Sequence, residues 1–510
     1  MIEERLAGLQ AKLAEPFFRH WRWMLVAAWL LYVIFITASR WQPIQSFALP
    51  DTDDNLRLAQ VRAWLGGQGW YDLTQYRFDP AHGGANIHWS RLVDLPLAAI
   101  ILMLTPLVGG ADAERVAVAF APQIPLLLLM FSLALTMKHL VSERAWPLPV
   151  IGLLSAYSTL AMFGPLRVDH HGWQLAFLGL AVSAMADPKR ARGGALLGIA
   201  TGLSLCVGLE MMIYLALLGG ATVLLWVADR DQRRRLAAYA AALVATTGVG
   251  FLAFASEANR QAVCDALSPV WLSNAAVGGA LMFGLALFRI DGWKARLAAA
   301  IVAGGALAAF HAVAWPHCLQ RLEGVSPEAT SLWLDRVREA RPFYRHGWRT
   351  ATIVIALPAT ALIGWALLCW RAWKMGADGR NLLYRTIAVA VPSVAALALL
   401  FWQIRAGPAA QMMALPATTA LIVLLAGPWL RAPQLWKHGL AVVLVLLSFG
   451  AAVPVALQLV PAERTSPARV KVAQANKKCP SIAALEPINR LPRGTIFTFI
   501  DLGPRLIIAT

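Results

Sequence analysis

Apolar runs of about 17 to 25 residues recur down the chain, separated by short segments rich in charged and turn-forming residues. A bilayer core takes roughly 20 helical residues to cross, and inside it only helices or closed barrels satisfy their own backbone. The pattern therefore predicts membrane helices over 22–40, 115–137, 146–166, 172–187, 193–208, 210–228, 236–255, 271–289, 296–315, 349–370, 386–404, 409–429 and 439–459. One further run, Leu95–Val108, is short, is broken by Pro96 and Pro106, and leads into Gly109-Gly110-Ala111-Asp112. The first run follows a charged segment and is long enough to span, so it reads as a retained helix and not a cleaved leader.

Charge decides how that fourteenth run is read. The 510 residues hold 45 Lys+Arg against 28 Asp+Glu, a formal net charge of +17. Taken alone, this would point to nucleic acid. With 58% hydrophobic and only 14% charged residues, however, the composition excludes a disordered basic tail, an ordinary soluble domain and a disulfide-dense secreted module. The lipid bilayer is the partner implied, and no nucleic acid is expected. Lys and Arg near span ends concentrate on the cytoplasmic side. If Leu95–Val108 only dips into the outer leaflet, all the clusters at 138–144, 189–192, 230–235, 289–296, 371–385 and 431–437 fall inside. If it spans, the 189–192 and 230–235 clusters move outside. The first arrangement is adopted: an all-α polytopic membrane protein of about 13 helices, N-terminus in and C-terminus out. Most of the +17 is then a topology signal.

Five cysteines show no CxxC or Cys/His metal spacing. Cys206 and Cys369 lie in apolar runs, and Cys264, Cys318 and Cys479 lie in outer connections. A Cys264–Cys318 disulfide is one pairing the sequence leaves open.

Three outer segments are long: 41–94, 316–348 and the tail after Val460. The inner loops are brief and lack GxxxxGK[ST] or GxGxxG patterns, so chemistry is expected outside. The first outer loop opens with Pro50-Asp51-Thr52-Asp53-Asp54-Asn55-Leu56-Arg57 and continues as an amphipathic helix through Leu65. Three carboxylates in four residues raise one another's pKa unless they share a cation. They also suit a helix N-terminus, and both readings stay open, although Asp51 and Asp53 cannot both cap. Arg167-Val168-Asp169-His170-His171 occupies a very short connection between two predicted spans. Asp169 and His171, two apart, can reach one ion. Glu210, at a tight outer turn, reads as a structural turn residue. Asp335 to Pro342 alternates charge, as a solvated helix face would. Arg405 sits alone at an outer boundary, where it either snorkels or holds a lipid-linked phosphate through its planar fork.

In order and sidedness these motifs resemble the GT-C superfamily of membrane glycosyltransferases, most closely the catalytic subunit of oligosaccharyltransferase and its bacterial and archaeal relatives. Asp51 and Arg57 match the family's Asp followed six residues later by Arg, which makes Asp51 a catalytic carboxylate and metal ligand. His88-Trp89-Ser90-Arg91-Leu92-Val93-Asp94-Leu95-Pro96 matches the aromatic, Arg and Asp that close the family's loop. Asp169 and His171 match its second acidic motif, with His in place of the usual carboxylate. Val337-Arg338-Glu339, with Pro342, matches the late Val-x-Glu pattern, with Val325-Ser326-Pro327-Glu328 as a rival placement. Arg405 matches the lipid-phosphate arginine. The resemblance covers roughly residues 20–460.

It implies a transmembrane domain over 1–460, with a first periplasmic loop (41–94), a juxtamembrane helix (95–110) and a late loop (316–348), then a short segment over 461–510. It also implies transfer of a sugar or oligosaccharide from a polyprenyl phosphate or diphosphate to an acceptor, on the periplasmic face of a bacterial inner membrane. Asp51, Asp169, His171 and Glu339 would hold a divalent cation, Mg²⁺ or Mn²⁺. Arg405, Arg57 and Arg91 would bind the donor phosphate, and Asp53 or Asp51 would take or align the acceptor proton. Family members end in a large soluble domain with a Trp-Trp-Asp motif that reads the acceptor. The 50 residues after Val460 contain no Trp, so glycan, lipid and protein acceptors all stay open. A transporter or flippase of lipid-linked sugars and a polysaccharide polymerase or ligase are the other readings; the first predicts ionisable residues deep within the spans.

Overall fold

The computed structural model describes residues 15–320, 325–430, 432–450, 453, 457, 459–460, 466–478, 481–499 and 501–510. Arg431, Cys479, part of the 439–459 span and the first 14 residues of the N-terminal charged segment lie outside the described residues.

Among the described residues, nine helices are long and apolar enough to cross a membrane, and two shorter apolar helices, Met212–Ala228 and Leu435–Ser448, join them. The protein is a multi-pass, all-α membrane protein. The sheet found among these residues is a two-residue ladder in the first loop, Thr74–Gln75 (β1) antiparallel to Ala85–Asn86 (β2), with Thr74 opposite Asn86. Lipid exposure is legible in the burial pattern. The helix Trp293–Ala314 buries only Arg296 and leaves Ile301, Val302 and Val313 more than 60% exposed. A face that apolar is stable against acyl chains and not against water. At the opposite extreme, Gly407–Leu421 buries every residue from Ala409 onward and forms the axis of the bundle.

The helices that carry the site are α1 (Trp21–Ser39), α2 (Thr52–Leu65), α3 (Arg91–Val108), α4 (Gly110–Phe120), α5 (Ile124–Leu140), α6 (Pro147–Gly152), α7 (Tyr157–Ala161), α8 (His171–Ala186), α9 (Arg190–Val207), α10 (Met212–Ala228) and α11 (Arg233–Phe254). α9 and α11 pack backbone to backbone along a stripe of small residues spaced one turn apart. A Cβ on Gly194 would lie 2.1 Å from the Arg235 carbonyl, one on Gly198 2.6 Å from the Tyr239 carbonyl, and one on Gly202 2.7 Å from Thr246. Without a hydrophobic drive between helices in lipid, such close approach is the principal source of association.

The run expected to dip into the outer leaflet is helical from Arg91 to Val108 and, by length and composition alone, could cross. Its packing brings it back. Gly109, at φ 82°, turns the chain, and α4 returns along α3 so that Ala117–Ala119 pack with Leu97, Ala98 and Ile101 in a core shared with Leu58 and Ala59 of α2. Both ends of the hairpin therefore meet the first loop. The predicted span 146–166 is not one helix: α6 and α7 are short pieces joined by a 3₁₀ turn at Leu153–Ser155. Ala156, at φ −87° and ψ 66°, breaks the helix there.

The start of α1 lies beside the 138–146 loop, with the Lys138 ammonium 4.5 Å above the Trp21 ring. Gly503–Ala509 forms a helix, α12, that docks on α2 and the first loop. Arg62 donates to the Ile508 carbonyl at 2.7 Å, and Arg77 to the Ile507 carbonyl at 2.7 Å. The Cys264–Cys318 disulfide left open by the sequence is present, with Cα atoms 5.5 Å apart, and closes a separation of 54 residues.

Candidate functional site

The site is built where α2, the 162–171 connection and the α9–α10 turn converge. α2 starts at Asp51, whose extended backbone and side-chain bond to the Thr52 N–H (2.7 Å) make it the N-cap. The same carboxylate has a second partner: its other oxygen accepts from Arg167 Nη1 at 2.8 Å. One turn later Asp54, wholly buried, accepts from the same Nη1 at 3.0 Å and from the Asp169 N–H at 3.1 Å. Arg167 Nη2 pairs with Asp169. One guanidinium thus bridges three carboxylates from two segments and is a cation of the kind that the acidic run requires.

Leu166, just before it, holds a left-handed φ of 75°, fixed by its N–H bond to the Val118 carbonyl (2.8 Å) and by burial. A non-glycine residue in that region is strained and is kept there by its surroundings.

On the far side of Asp169 lies a histidine layer. Asp169 accepts from the His171 N–H at 3.0 Å and lies 3.1 Å from His171 Nδ1. The His170 and His171 rings stack at 4.6 Å. His170 Nε2 is 2.7 Å from Glu210, and Glu210 also accepts from Gln174. Arg57 Nη2 lies 3.4 Å from His170 Nδ1. Because a guanidinium can only donate, Nδ1 accepts and the ring proton sits on Nε2, facing Glu210.

These contacts separate the acids electrostatically. Burial, then Asp169 beside it, pushes the Asp54 carboxyl well above the usual range, against Arg167. Asp53 is also raised: burial and the Asp51 and Asp169 charges outweigh His170 and His171. Burial would raise Asp169 and Glu210 as well, but His171 and Arg167 hold Asp169 far below the carboxylate range, and His170 and His171 do the same for Glu210. Burial opposes the His171 imidazolium, yet Asp169 outweighs it and pushes the ring up to about 10. Two carboxyls kept ionised beside two held toward the protonated form is the arrangement that divides acid, base and cation-binding roles.

Arg57 and Arg91, expected at the donor phosphate, are turned to protein partners here. Both are fully buried. Arg57 donates to Asp94 (2.9 Å) and the Ser90 carbonyl (3.0 Å) and lies 4.7 Å over the Trp89 ring. Arg91 donates to the Asp72 and Trp70 carbonyls and pairs with Asp94 at 3.4 Å. They tie the first loop to α3, which the sequence could not distinguish from anion binding because both uses select Arg. Glu339, expected as an ion ligand, lies apart from the cluster's contacts described above. It lies exposed on a 3₁₀ turn, Arg338–Ala340, and does not join the groups of described residues close enough to share an ion. Glu210 takes that place: His170, His171 and Glu210 offer ligand atoms within 4.8 Å of one another. The signal missed was that a two-span hairpin returns residue 210 to the level of residue 170. Arg405 lies exposed on the 3₁₀ turn Ile404–Ala406 ahead of the axial helix. That helix meets α7 through the Thr159 hydroxyl bond to the Pro408 carbonyl.

The donor set fits a divalent cation held by Glu210 and the neutral form of His171, with Asp169 beside His171 Nδ1 orienting that ring. His170 already directs its proton at Glu210 and acts by positioning it. An imidazole beside a carboxylate suits Mn²⁺ or Zn²⁺ better than Mg²⁺, which prefers an all-oxygen site.

Fold and site together define a polytopic helical membrane protein with a buried carboxylate, arginine and histidine cluster at one end of its bundle. No protein-family model matches the chain, and no curated protein matches it. Solved structures do. The archaeal oligosaccharyltransferase of Archaeoglobus fulgidus in its apo form matches with TM-score 0.69 at 16% identity over 95% of this chain and 64% of that one. The same organism's enzyme AglB, in complex with an inhibitory peptide and a dolichol-phosphate, matches with TM-score 0.64 at 13% identity over 95% and 62%. A complex with Zn and sulfate matches with TM-score 0.55 at 15% identity, over 93% and 58%. The fold is therefore the one the GT-C resemblance implies, and the chain spans about three fifths of the length of the structures it matches.

Proposed function

We propose that the chain is an integral membrane glycosyltransferase that moves a sugar or oligosaccharide from a polyprenyl phosphate or diphosphate to an acceptor at the acidic end of its bundle. The observation that carries this reading is the convergence of Asp51, Asp54, Asp169, His171 and Glu210 on a fold shared with oligosaccharyltransferases. Structures of that enzyme are described with a dolichol-phosphate and with an acceptor peptide, which supports a lipid-linked donor here and makes a peptide the first acceptor to try. The Cys264–Cys318 disulfide lies in connections on the side the charge pattern assigns to the outside. Disulfides persist in oxidising compartments, which favours a periplasmic acidic end in a bacterial inner membrane.

A bound cation would supply charge to stabilise the departing phosphate. The residues do the rest. Asp53, half-buried and with its pKa raised, takes the proton from the attacking acceptor atom as that atom bonds to the anomeric carbon and the phosphate oxygen departs. Asp169 keeps Arg167 and His171 in place and stays ionised throughout. Arg167 prevents Asp51, Asp54 and Asp169 from repelling one another. Arg405, at the membrane boundary, is assigned to the donor's phosphate.

The test is direct. Purified protein in nanodiscs, given a polyprenyl diphosphate carrying a labelled glycan and a panel of peptide, glycan and lipid acceptors, should release the polyprenyl product with label on one acceptor class. Intact donor under every condition would overturn the reading.

A further inference from the structure

The far end of the bundle carries a second feature that glycosyl transfer does not use. α9 is 18 residues long, about 27 Å. Its last residue leads to Glu210, and its first lines a cavity of about 580 Å³, a size in the range of small-ligand sites. Six cations line this cavity and no carboxylate does: Lys189, Arg190, Arg192, Arg234, Arg235 and Arg385.

The nearby acids are already engaged. Asp187 is held by Arg192 at 2.6 and 2.9 Å, and Asp229 and Asp231 by Arg190 at 3.0 and 3.2 Å. Two of the arginines are structural. Arg235, fully buried, donates to the Ala184 and Met185 carbonyls at 3.1 and 3.3 Å, and Arg385 donates to the Ala186 and His139 carbonyls. They therefore cap the C-termini of α8 and α5, where the helix dipoles favour a cation. Lys189 and Arg234 are different. Both are exposed, and neither side chain has a hydrogen-bonding or ionic partner among the described residues. The positive N-termini of α9 and α11 face the same space. Six cations against three acids leave a local excess that the protein does not neutralise.

We propose that this cavity is a binding site for a phosphate-bearing anion, either the headgroup of an anionic phospholipid or a soluble phosphate or pyrophosphate. Its place at the end of the spans, among the basic clusters, is where basic pockets between membrane helices meet headgroups. The uncommitted fork of Arg234 and ammonium of Lys189 suit phosphate oxygens, and the remaining cations add to the field that draws an anion in.

The test uses the full chain and two probes. Protein in nanodiscs of phosphatidylcholine with and without cardiolipin is released for native mass spectrometry, and protein in detergent is titrated with inorganic pyrophosphate. Wild type should retain cardiolipin over phosphatidylcholine or bind pyrophosphate saturably, and Lys189→Gln/Arg234→Gln should weaken that binding by about 30-fold. The control Arg371→Gln/Lys374→Gln removes the same charge from the same end but outside the cavity, and should bind as wild type does. Cardiolipin selectivity without pyrophosphate binding identifies a lipid headgroup, and the reverse identifies a soluble anion. Either supports the site. No saturable binding of either probe by wild type, or an equal loss in the cavity variant and the control, would overturn it.

Discussion

The two ends of α9 handle charge in opposite ways. At the Glu210 end the charges are matched: Arg167 meets three carboxylates and His171 meets Asp169, while His170 hydrogen-bonds Glu210. At the Arg190 end the cations outnumber the acids and open onto a cavity. A balanced, buried cluster shifts pKa values and poises groups for chemistry, whereas an unbalanced one attracts a counter-charge. Composition alone, a net +17, cannot tell these apart. The partner of each charge does.

The largest expected effect comes from breaking the balance at its hub. Arg167→Gln leaves Asp54 and Asp169, both fully buried, without their cation, and loss of one partner of a buried pair costs about 3–5 kcal/mol. Thermal unfolding should show a large drop, and transfer should vanish. Arg167→Lys should recover part of the stability, and unchanged melting in Arg167→Gln would remove Arg167 from the centre of the account.

Next is Glu210→Gln. If Glu210 holds the ion with His171, affinity for Mn²⁺ or Zn²⁺ should fall roughly 10- to 100-fold by calorimetry, whereas Glu339→Gln should leave it within about twofold. Equal effects from the two would return the late loop to the site.

A smaller effect is the pH response of Asp53. Its raised pKa means that its carboxylate, the form that accepts a proton, is lost as pH falls through that raised value. The rate should drop on the acid side at a higher pH than an ordinary carboxylate would give, and Asp53→Asn should be slow and flat there. A slope that survives in Asp53→Asn would assign the titration to another group. The smallest effect sharpens the contrast between the ends: Lys189→Gln/Arg234→Gln should leave transfer within about twofold of wild type under saturating donor. A collapse of transfer would mean that the two ends are coupled.

Much of this architecture was legible in the sequence because membrane helices announce themselves by apolar length, and because Asp51–Asp54 and Asp169–His171 are local motifs. The reading of Leu95–Val108 rested on the sidedness of positive charge, and its hairpin with α4 is a contact that charge does not report. Contacts between distant segments were out of reach. Asp54 faces Arg167 across 113 residues and Glu210 faces His170 across 40, and neither spacing is visible to a linear scan. Arg57 and Arg91 read as phosphate ligands in the sequence, and their carbonyl and Asp94 partners are visible only in the structure. The break at Ala156 is a backbone event inside an apolar run, and hydropathy does not register it.

The central claim is that the carboxylate and histidine cluster drives sugar transfer from a lipid-linked donor. The most direct measurement is the initial rate of polyprenyl phosphate release in nanodiscs for wild type and Asp169→Asn, each with and without a chelator. The account predicts rapid release by wild type that the chelator abolishes and Mn²⁺ or Zn²⁺ restores, and a rate at least about 100-fold lower in a folded Asp169→Asn. Full release by Asp169→Asn, whether or not the chelator is present, would contradict it.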